Sequence, residues 1–236
     1  MDDLYDYLQR SRLFSCLSDV QARIVVENSP LQHVPAKGPI GVFNTATSYV
    51  HLVVQGRAKV CYMTPDGKQP ILHFVNSDEL VGEQAIFDGR NSDNYIETLE
   101  RSVVASIPTK ILRTLALEEP AFATSLSELI SRRRAEAEAR IRHLLFLSNR
   151  ERLTHMLLDL AQQYGRGSQH HFELDIKLSH QDLASFIGST RETVTVVLGK
   201  MQLDGLVEVK RRRITLLDTQ TLGKSVNRSA PGVALG

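Results

Sequence analysis

Two stretches near the C-terminal end carry side chains able to do specific chemistry. Ser189-Thr190-Arg191-Glu192 sets two hydroxyls, a guanidinium and a carboxylate on consecutive positions, and Lys210-Arg211-Arg212-Arg213 sets four cations in a row. Arginine can donate two parallel hydrogen bonds to a guanine edge, glutamate can accept one from cytosine, and clustered cations meet phosphates. The chemistry these groups suit is recognition of a polyanion with ordered edges. Taken singly, each has an ordinary reading, since basic tetrads are commonly solvated turns and helix pairs are common. Their order and spacing within about forty residues carry the reading, so the elements that position them matter.

Ser179-His180-Gln181-Asp182 has the form of a helix start, a Ser cap with an acid three residues on, and Leu183, Phe186 and Ile187 follow as a short apolar face. Gly188 breaks that helix. Ser189 then opens a second cap as Ser-x-x-Glu, after which Val194, Val197, Leu198 and Met201 recur at i, i+3, i+4 and i+7. With that stripe inward, the outward face holds Arg191, Glu192, Thr195, Val196, Gly199 and Lys200. Two short helices about a glycine turn form a helix-turn-helix pattern. Leu206 to Val209 and Ile214 to Leu217 read as two β-runs with the basic tetrad at their tip, the wing of a winged helix.

Upstream, residues 31–108 show short β-type runs with turn residues between them. Tyr49 to Val54, Ala58 to Met63, Ile71 to Val75, Tyr95 to Leu99 and Ser102 to Ile107 are the strand candidates, with Ala58, Val60 and Tyr62 alternating against Lys59, Cys61 and Met63. Their number and spacing predict a small antiparallel barrel or roll. From Pro120 to Leu147 neither Pro nor Gly interrupts, and Leu126, Ile130, Ala137, Ile141 and Leu144 form one stripe of a long helix. That stripe suits packing on its own domain or, the favoured reading, a seam between two subunits. A further helix is expected over Arg152 to Gln163, a Gly-rich loop from Tyr164 to Ser168, and a loose tail from about Lys224. The fold class is therefore α+β, an N-terminal antiparallel β-roll (1–117), a dimerisation helix (118–149) and a C-terminal winged helix-turn-helix (150–236).

The stretch from Leu174-Asp-Ile-Lys-Leu-Ser-His-Gln-Asp-Leu-Ala through Ile187-Gly-Ser-Thr-Arg-Glu-Thr-Val-Thr resembles the cyclic-AMP receptor and fumarate–nitrate-reduction regulator superfamily of bacterial transcription factors, and its nitrogen-control branch most of all. The order roll, long helix, winged helix is similar to that family over nearly the whole chain, and Gly56 and Val81-Gly82-Glu83 match its glycines in the roll. The resemblance implies a cyclic-nucleotide-binding-like roll and a homodimer on a palindromic double-stranded operator, with RNA polymerase as a partner. It implies that Arg191 and Glu192 read bases and that Ser189 and Thr190 hold phosphate, with Thr195, Lys200, Lys210, Arg211, Arg212 and Arg213 completing the DNA face. The family often carries a second Arg five residues after Arg191, where this chain has Val196.

By the same resemblance the effector pocket comprises Gly82, Glu83, Gln84, Asp93, Asn94, Arg133 and Ala137. In cyclic-AMP-binding members a Gly-Glu pair is followed by Arg-Ser for the cyclic phosphate, and Thr-Ser on the long helix meets the adenine. Here those positions fall on Ser92-Asp93-Asn94 and Ala137-Glu138, and an aspartate facing a phosphate repels it. The expectation is an inherited pocket that has lost cyclic-AMP chemistry. Arg133, which interrupts the seam, either binds an anion there, pairs with Glu136 or Glu138, or reaches solvent. No cofactor is assigned, and the effector is open.

The remaining composition excludes rather than identifies. A formal net charge of +1 over 236 residues rules out a uniformly basic coat for nucleic acid, so any contact must be a local patch. Cys16 and Cys61 stand apart without a Cys-x-x-Cys, and eight histidines are scattered without a His-x-x-x-His, which argues against disulfide and metal sites. No signal-type or membrane-length apolar run occurs, and the default expectation is a cytoplasmic protein. Two rivals stand beside the regulator: a cupin-type binding or enzymatic roll, and a roll serving as an effector-free scaffold. The absence of Gly-x-x-x-x-Gly-Lys, Gly-x-Ser-x-Gly and Gly-x-Gly-x-x-Gly weighs against catalysis.

Overall fold

Short β-branched runs interrupted by Gly and Pro cannot build long helices, and in the N-terminal half they pair as antiparallel strands. The computed structural model describes residues 2–41, 49–88, 94–168, 171–210 and 213–231. The chain divides into two units, Met1–Ala137 and Glu138–Gly236, with the boundary inside the long helix.

In the first unit α1 (Asp2–Arg10) and α2 (Asp19–Glu27) precede β1 (Leu31–Val34), β2 (Tyr49–Gln55), β3 (Ala58–Tyr62), β4 (Ile71–Val75) and β5 (Glu79–Val81). Then come α3 (Ala85–Asp88), β6 (Asn94–Thr98), β7 (Ser102–Pro108) and α4 (Thr109–Glu118). The strands form two sheets, ordered β1-β7-β2-β5 and β4-β3-β6, antiparallel throughout as the strand pattern predicts. Val53, Val60, Val75, Val81 and Val104 pack as one core cluster of the roll. The β2–β3 turn depends on Gly56, whose φ of +89° favours glycine and where a Cβ would strike the Ser102 hydroxyl.

The simple alternation expected in β3 fails at one residue. Cys61 is buried along with Ala58 and Val60, at the point where the register with β4 shifts and Leu72 of β4 stands as the extra residue. The two N-terminal helices carry a signal that the strand pattern does not contain, a Ser18/Gln21 capping box opening α2.

Helix α5 (Pro120–Phe146) spans the length predicted to within a residue. Its first turns do not form a seam. Phe122, Leu126 and Leu129 are buried in the core with Phe14, Leu52 and Ile107, and Ile130 packs on that cluster, so Leu126 is covered by its own subunit. Further along, Ala137 is exposed, as are Ile141 and Leu144, at 56% and 42%.

In the second unit α6 (Asn149–Tyr164) is followed by β8 (Gly165–Ser168), β9 (His171–Leu174), α7 (His180–Ile187), α8 (Arg191–Leu203), β10 (Val207–Lys210), β11 (Arg213–Leu216) and α9 (Thr219–Ser225). The Gly-rich segment expected as a loop is strand β8, paired to β9 at the edge of a β10-β11-β9-β8 sheet. Glycine permits this, since a Cβ on Gly165 would collide with the Ala161 carbonyl and with Phe172. Nor is the segment after Lys224 loose up to Pro231: Arg228 pairs with Asp159 at 2.5 Å and donates to Gln162 at 3.1 Å on α6. Residues 232–236 and His170 lie outside the described residues.

The end of α5 meets α6 through His143 and His155, whose rings stack with centroids 4.2 Å apart. Burial pushes both imidazole pKa values down; for His155 the neighbouring His143 lowers it further, and Arg228 acts in the same direction on both. Asp159 opposes these effects at both rings, joined by Glu151 at His155, while Arg142 adds to the lowering at His143. A folded-state pKa below the ordinary value of about 6.5 means the fold favours neutral rings, so stability is complete above that pH and falls as pH drops through it. Melting temperature is expected to fall between about pH 7.5 and 5.5. The double variant His143→Gln/His155→Gln should fall less steeply, leaving the contribution of His51, which burial also lowers.

Candidate nucleic-acid interface and the pocket of the roll

Helix α8 is placed by its neighbours. Ser179 caps α7, accepting from the Asp182 N–H at 3.1 Å while its own N–H donates to the Asp182 carboxylate at 2.9 Å. Gly188 ends α7 in the left-handed region at φ +65°, and a Cβ there would sit 2.9 Å from the Leu144 side chain. Arg152 donates to the Ile187 carbonyl at 2.8 Å, and the Arg140 guanidinium lies 4.3 Å above the Phe186 ring. Burial pushes the Arg140 pKa down to about 10. The turn between the helices is therefore held from outside by α5 and α6.

The cap of α8 is Thr190, whose hydroxyl accepts from the Thr193 N–H at 3.2 Å. This corrects the expected Ser189 cap. The Ser189 N–H donates to the Ala184 carbonyl at 3.0 Å, so Ser189 finishes α7 rather than starting α8, and Glu192 falls a position too early to close a capping box. Arg191, Glu192, Thr195, Val196 and Lys200 are all exposed.

Thr195 is less free than its exposure implies. Its hydroxyl donates to the Arg191 carbonyl at 2.9 Å and lies 2.8 Å from Nδ1 of His180. His180 is thereby brought beside the exposed face of α8, a placement its position in the α7 start signal does not announce. His180, Gln181 and Arg191 line a hollow of about 430 Å³ whose far wall is Val209 and Ile214.

On the hairpin, Lys210 pairs with Glu208 at 2.6 Å and Arg213 with Glu173 at 3.0 Å. Neither described cation is the bare charge the sequence implies, although exposed pairs of this kind are worth only about 0–1 kcal/mol and yield to a stronger anion. Arg211 and Arg212 lie outside the described residues.

In the roll, Gly82 turns at φ +83° and Glu83 follows it, buried. The Glu83 carboxylate pairs with the Arg133 guanidinium of α5, the two side chains being 8% and 12% exposed. Arg133 also donates to the Leu80 carbonyl at 2.5 Å, and Arg132 reaches Glu79 at 2.8 Å. Arg133 thus faces the roll, but the carboxylate it holds is the chain's own; pairing with Glu136 or Glu138 and escape to solvent are both overturned. Of the other expected pocket residues, Gln84 is exposed, Ala137 is exposed one turn beyond Arg133, and Asn94 opens β6, half-buried, opposite Tyr62. Asp93 and its neighbour Arg90 lie outside the described residues. An anion seeking Arg133 would have to displace Glu83 and leave a buried carboxylate unpaired, which is costly.

Two family profiles match the chain: the cyclic nucleotide-binding domain over residues 36–119 and the Crp-like helix-turn-helix domain over residues 151–225. The chain is 28% identical to the global nitrogen regulator of Synechococcus elongatus over 177 residues, 74% of this chain and 80% of that protein. It is 26% identical to the cAMP-activated global transcriptional regulator CRP of Salmonella typhimurium over 172 residues, 72% and 81% of the two chains. A crp/fnr-family regulator from Eubacterium rectale superposes with a TM-score of 0.70 at 23% identity, covering 92% of this chain and 98% of that one. The chain carries the two domains of the cyclic-AMP receptor and fumarate–nitrate-reduction regulator superfamily, the cyclic nucleotide-binding domain followed by the Crp-like helix-turn-helix. It is a CRP-like transcriptional regulator with a DNA-binding helix-turn-helix, and its relatives are regulators rather than enzymes. Among the described residues no helix is long and apolar enough to cross a membrane.

Within this CRP-like regulator the buried pair is a strong constraint. Removing one partner strands a desolvated charge, so Arg133→Ala is expected to cost about 3–5 kcal/mol, whereas Glu83→Gln/Arg133→Met should lie closer to wild type. Chemical denaturation of both variants checks this, and equal losses would show that the charges are solvated.

Proposed function

We propose that this regulator acts as a homodimer on a palindromic operator in the cytoplasm, with Arg191 and Glu192 reading base edges and Thr190, Lys200 and the wing cations holding phosphates. The observation that carries the reading is the α7–Gly188–α8 pair with its exposed polar N-terminal face beside a basic hairpin. Ile141 and Leu144 support the dimer, being large apolar side chains exposed on a long helix, and Ala137 continues their line. A second copy would bury them, setting two recognition helices one DNA turn, about 34 Å, apart. The roll would answer a signal other than cyclic AMP, shifting the population of two dimer arrangements and with it access to RNA polymerase. The Glu83–Arg133 pair favours a second reading, in which the roll is an effector-free scaffold and holds α5 without any ligand.

Arg191→Ala is expected to weaken the best site by about 1–3 kcal/mol while leaving non-specific binding nearly unchanged; equal losses at fixed salt would reduce Arg191 to a phosphate contact. Ile141→Glu should sediment as a monomer, and a persisting dimer would reject the seam. Calorimetry with cyclic AMP should give no heat of binding at micromolar concentration, and a clear isotherm would overturn the effector reading.

A further inference from the structure

The outermost line of the reading helix is not the polar one. At about 100° per residue, Glu192, Val196, Gly199 and Leu203 fall within a narrow strip of α8 directly opposite the buried Val194, Leu198 and Met201. Arg191 and Thr195 flank the strip on one side and Lys200 on the other. Three of the four strip residues have no polar side-chain atom. Val196 is 57% exposed, and a Cβ placed on Gly199 would meet no atom within 4 Å.

Both features are unfavourable in isolation. An exposed valine gains nothing from burial, and a glycine inside a helix costs about 1 kcal/mol relative to alanine. Packing within the chain does not call for Gly199, because the space a methyl would fill is open. A surface that is apolar, slightly concave at Gly199 and bordered by hydrogen-bonding groups matches one feature of the DNA major groove, the C5 methyl of thymine.

We propose that Val196 and Gly199 form a seat for a thymine methyl, so that the operator carries an obligatory thymine in each half-site next to the base pair read by Glu192. This rests on the reading that α8 enters the major groove. Val196 supplies the contact, and Gly199 lets the helix backbone approach the base closely. The position thereby specifies thymine by shape and burial, with no hydrogen bond of its own.

The test begins with duplexes selected by the wild-type protein from a random pool at fixed salt. Each thymine is then replaced singly by deoxyuridine, which removes only the methyl. One methyl is worth about 0.8 kcal/mol when buried, so substitution at the seated thymine is expected to weaken wild-type binding about fourfold per half-site. Val196→Ala should bind the thymine and uracil duplexes equally. Gly199→Ala should melt at the same or a higher temperature yet bind the selected site more weakly. The melting temperature of Val196→Ala is the control for folding, and the exposed position predicts little change.

Specific binding by wild type with no thymine sensitive to methyl removal would overturn the seat while leaving DNA reading intact. Full sensitivity retained in Val196→Ala, or full affinity retained in Gly199→Ala, would remove the corresponding residue from it. If wild type selects no sequence at all, DNA reading falls, and the seat falls with it.

Discussion

Much of the first unit's geometry depends on one desolvated ion pair. Glu83 lies in the tight turn after β5, and its carboxylate leaves water on folding; only a cation held at the same depth makes that tolerable. Arg133 is that cation, and a second donation to the Leu80 carbonyl fixes its direction. A long helix packed by apolar contacts alone could rotate by small steps, because such contacts are non-directional. The guanidinium removes that freedom. With Phe122, Leu126 and Leu129 committed to the core and Arg133 to Glu83, the azimuth of the first turns of α5 on the roll is set.

The second unit solves a related problem by backbone geometry. Two helices about a three-residue turn would scatter over many angles unless the turn were pinned. Here the left-handed Gly188 leaves room for Leu144, Arg152 takes up the orphan Ile187 carbonyl, and Arg140 covers the Phe186 ring. Each contact comes from α5 or α6. Helix α8 is thus oriented, within its own unit, by the last turns of the long helix and by α6.

How legible this was in the sequence depends on range. Patterns set by nearby residues were read well: the five strand runs, the span of α5, the Ser179 cap and the Gly188 turn, all governed by local dihedral preference and periodicity. Misreadings arose where a distant partner decides the outcome. The stripe containing Leu126 has the same spacing whether a second subunit or its own roll covers it, and only the fold supplies Phe14 and Ile107. Cys61 is buried where β4 inserts Leu72 and shifts its register, and Gly165 to Ser168 becomes a strand because Phe172 lies across from it. Arg133 could not be assigned to Glu83, fifty residues away, from composition. Ser189 and Thr190 are equally good caps by type, and the choice falls to Thr190 because the Ser189 N–H is needed to close α7.

On the proposed reading, a net charge of +1 is compatible with DNA binding because affinity and discrimination would be carried by different groups. Lys200, Lys210 and Arg213 flank the reading helix or its wing, and the two wing cations sit in exposed pairs with Glu208 and Glu173. Exchanging those carboxylates for phosphates would cost little and release counterions, so this contribution would fade as salt rises. The strip at the centre of α8 is apolar apart from Glu192, and a contact made by methyl groups is indifferent to ionic strength. Moderate salt would therefore weaken all duplexes together while the preference among sequences persists. For a protein with so small an overall charge, that division would let specificity survive where electrostatic attraction does not.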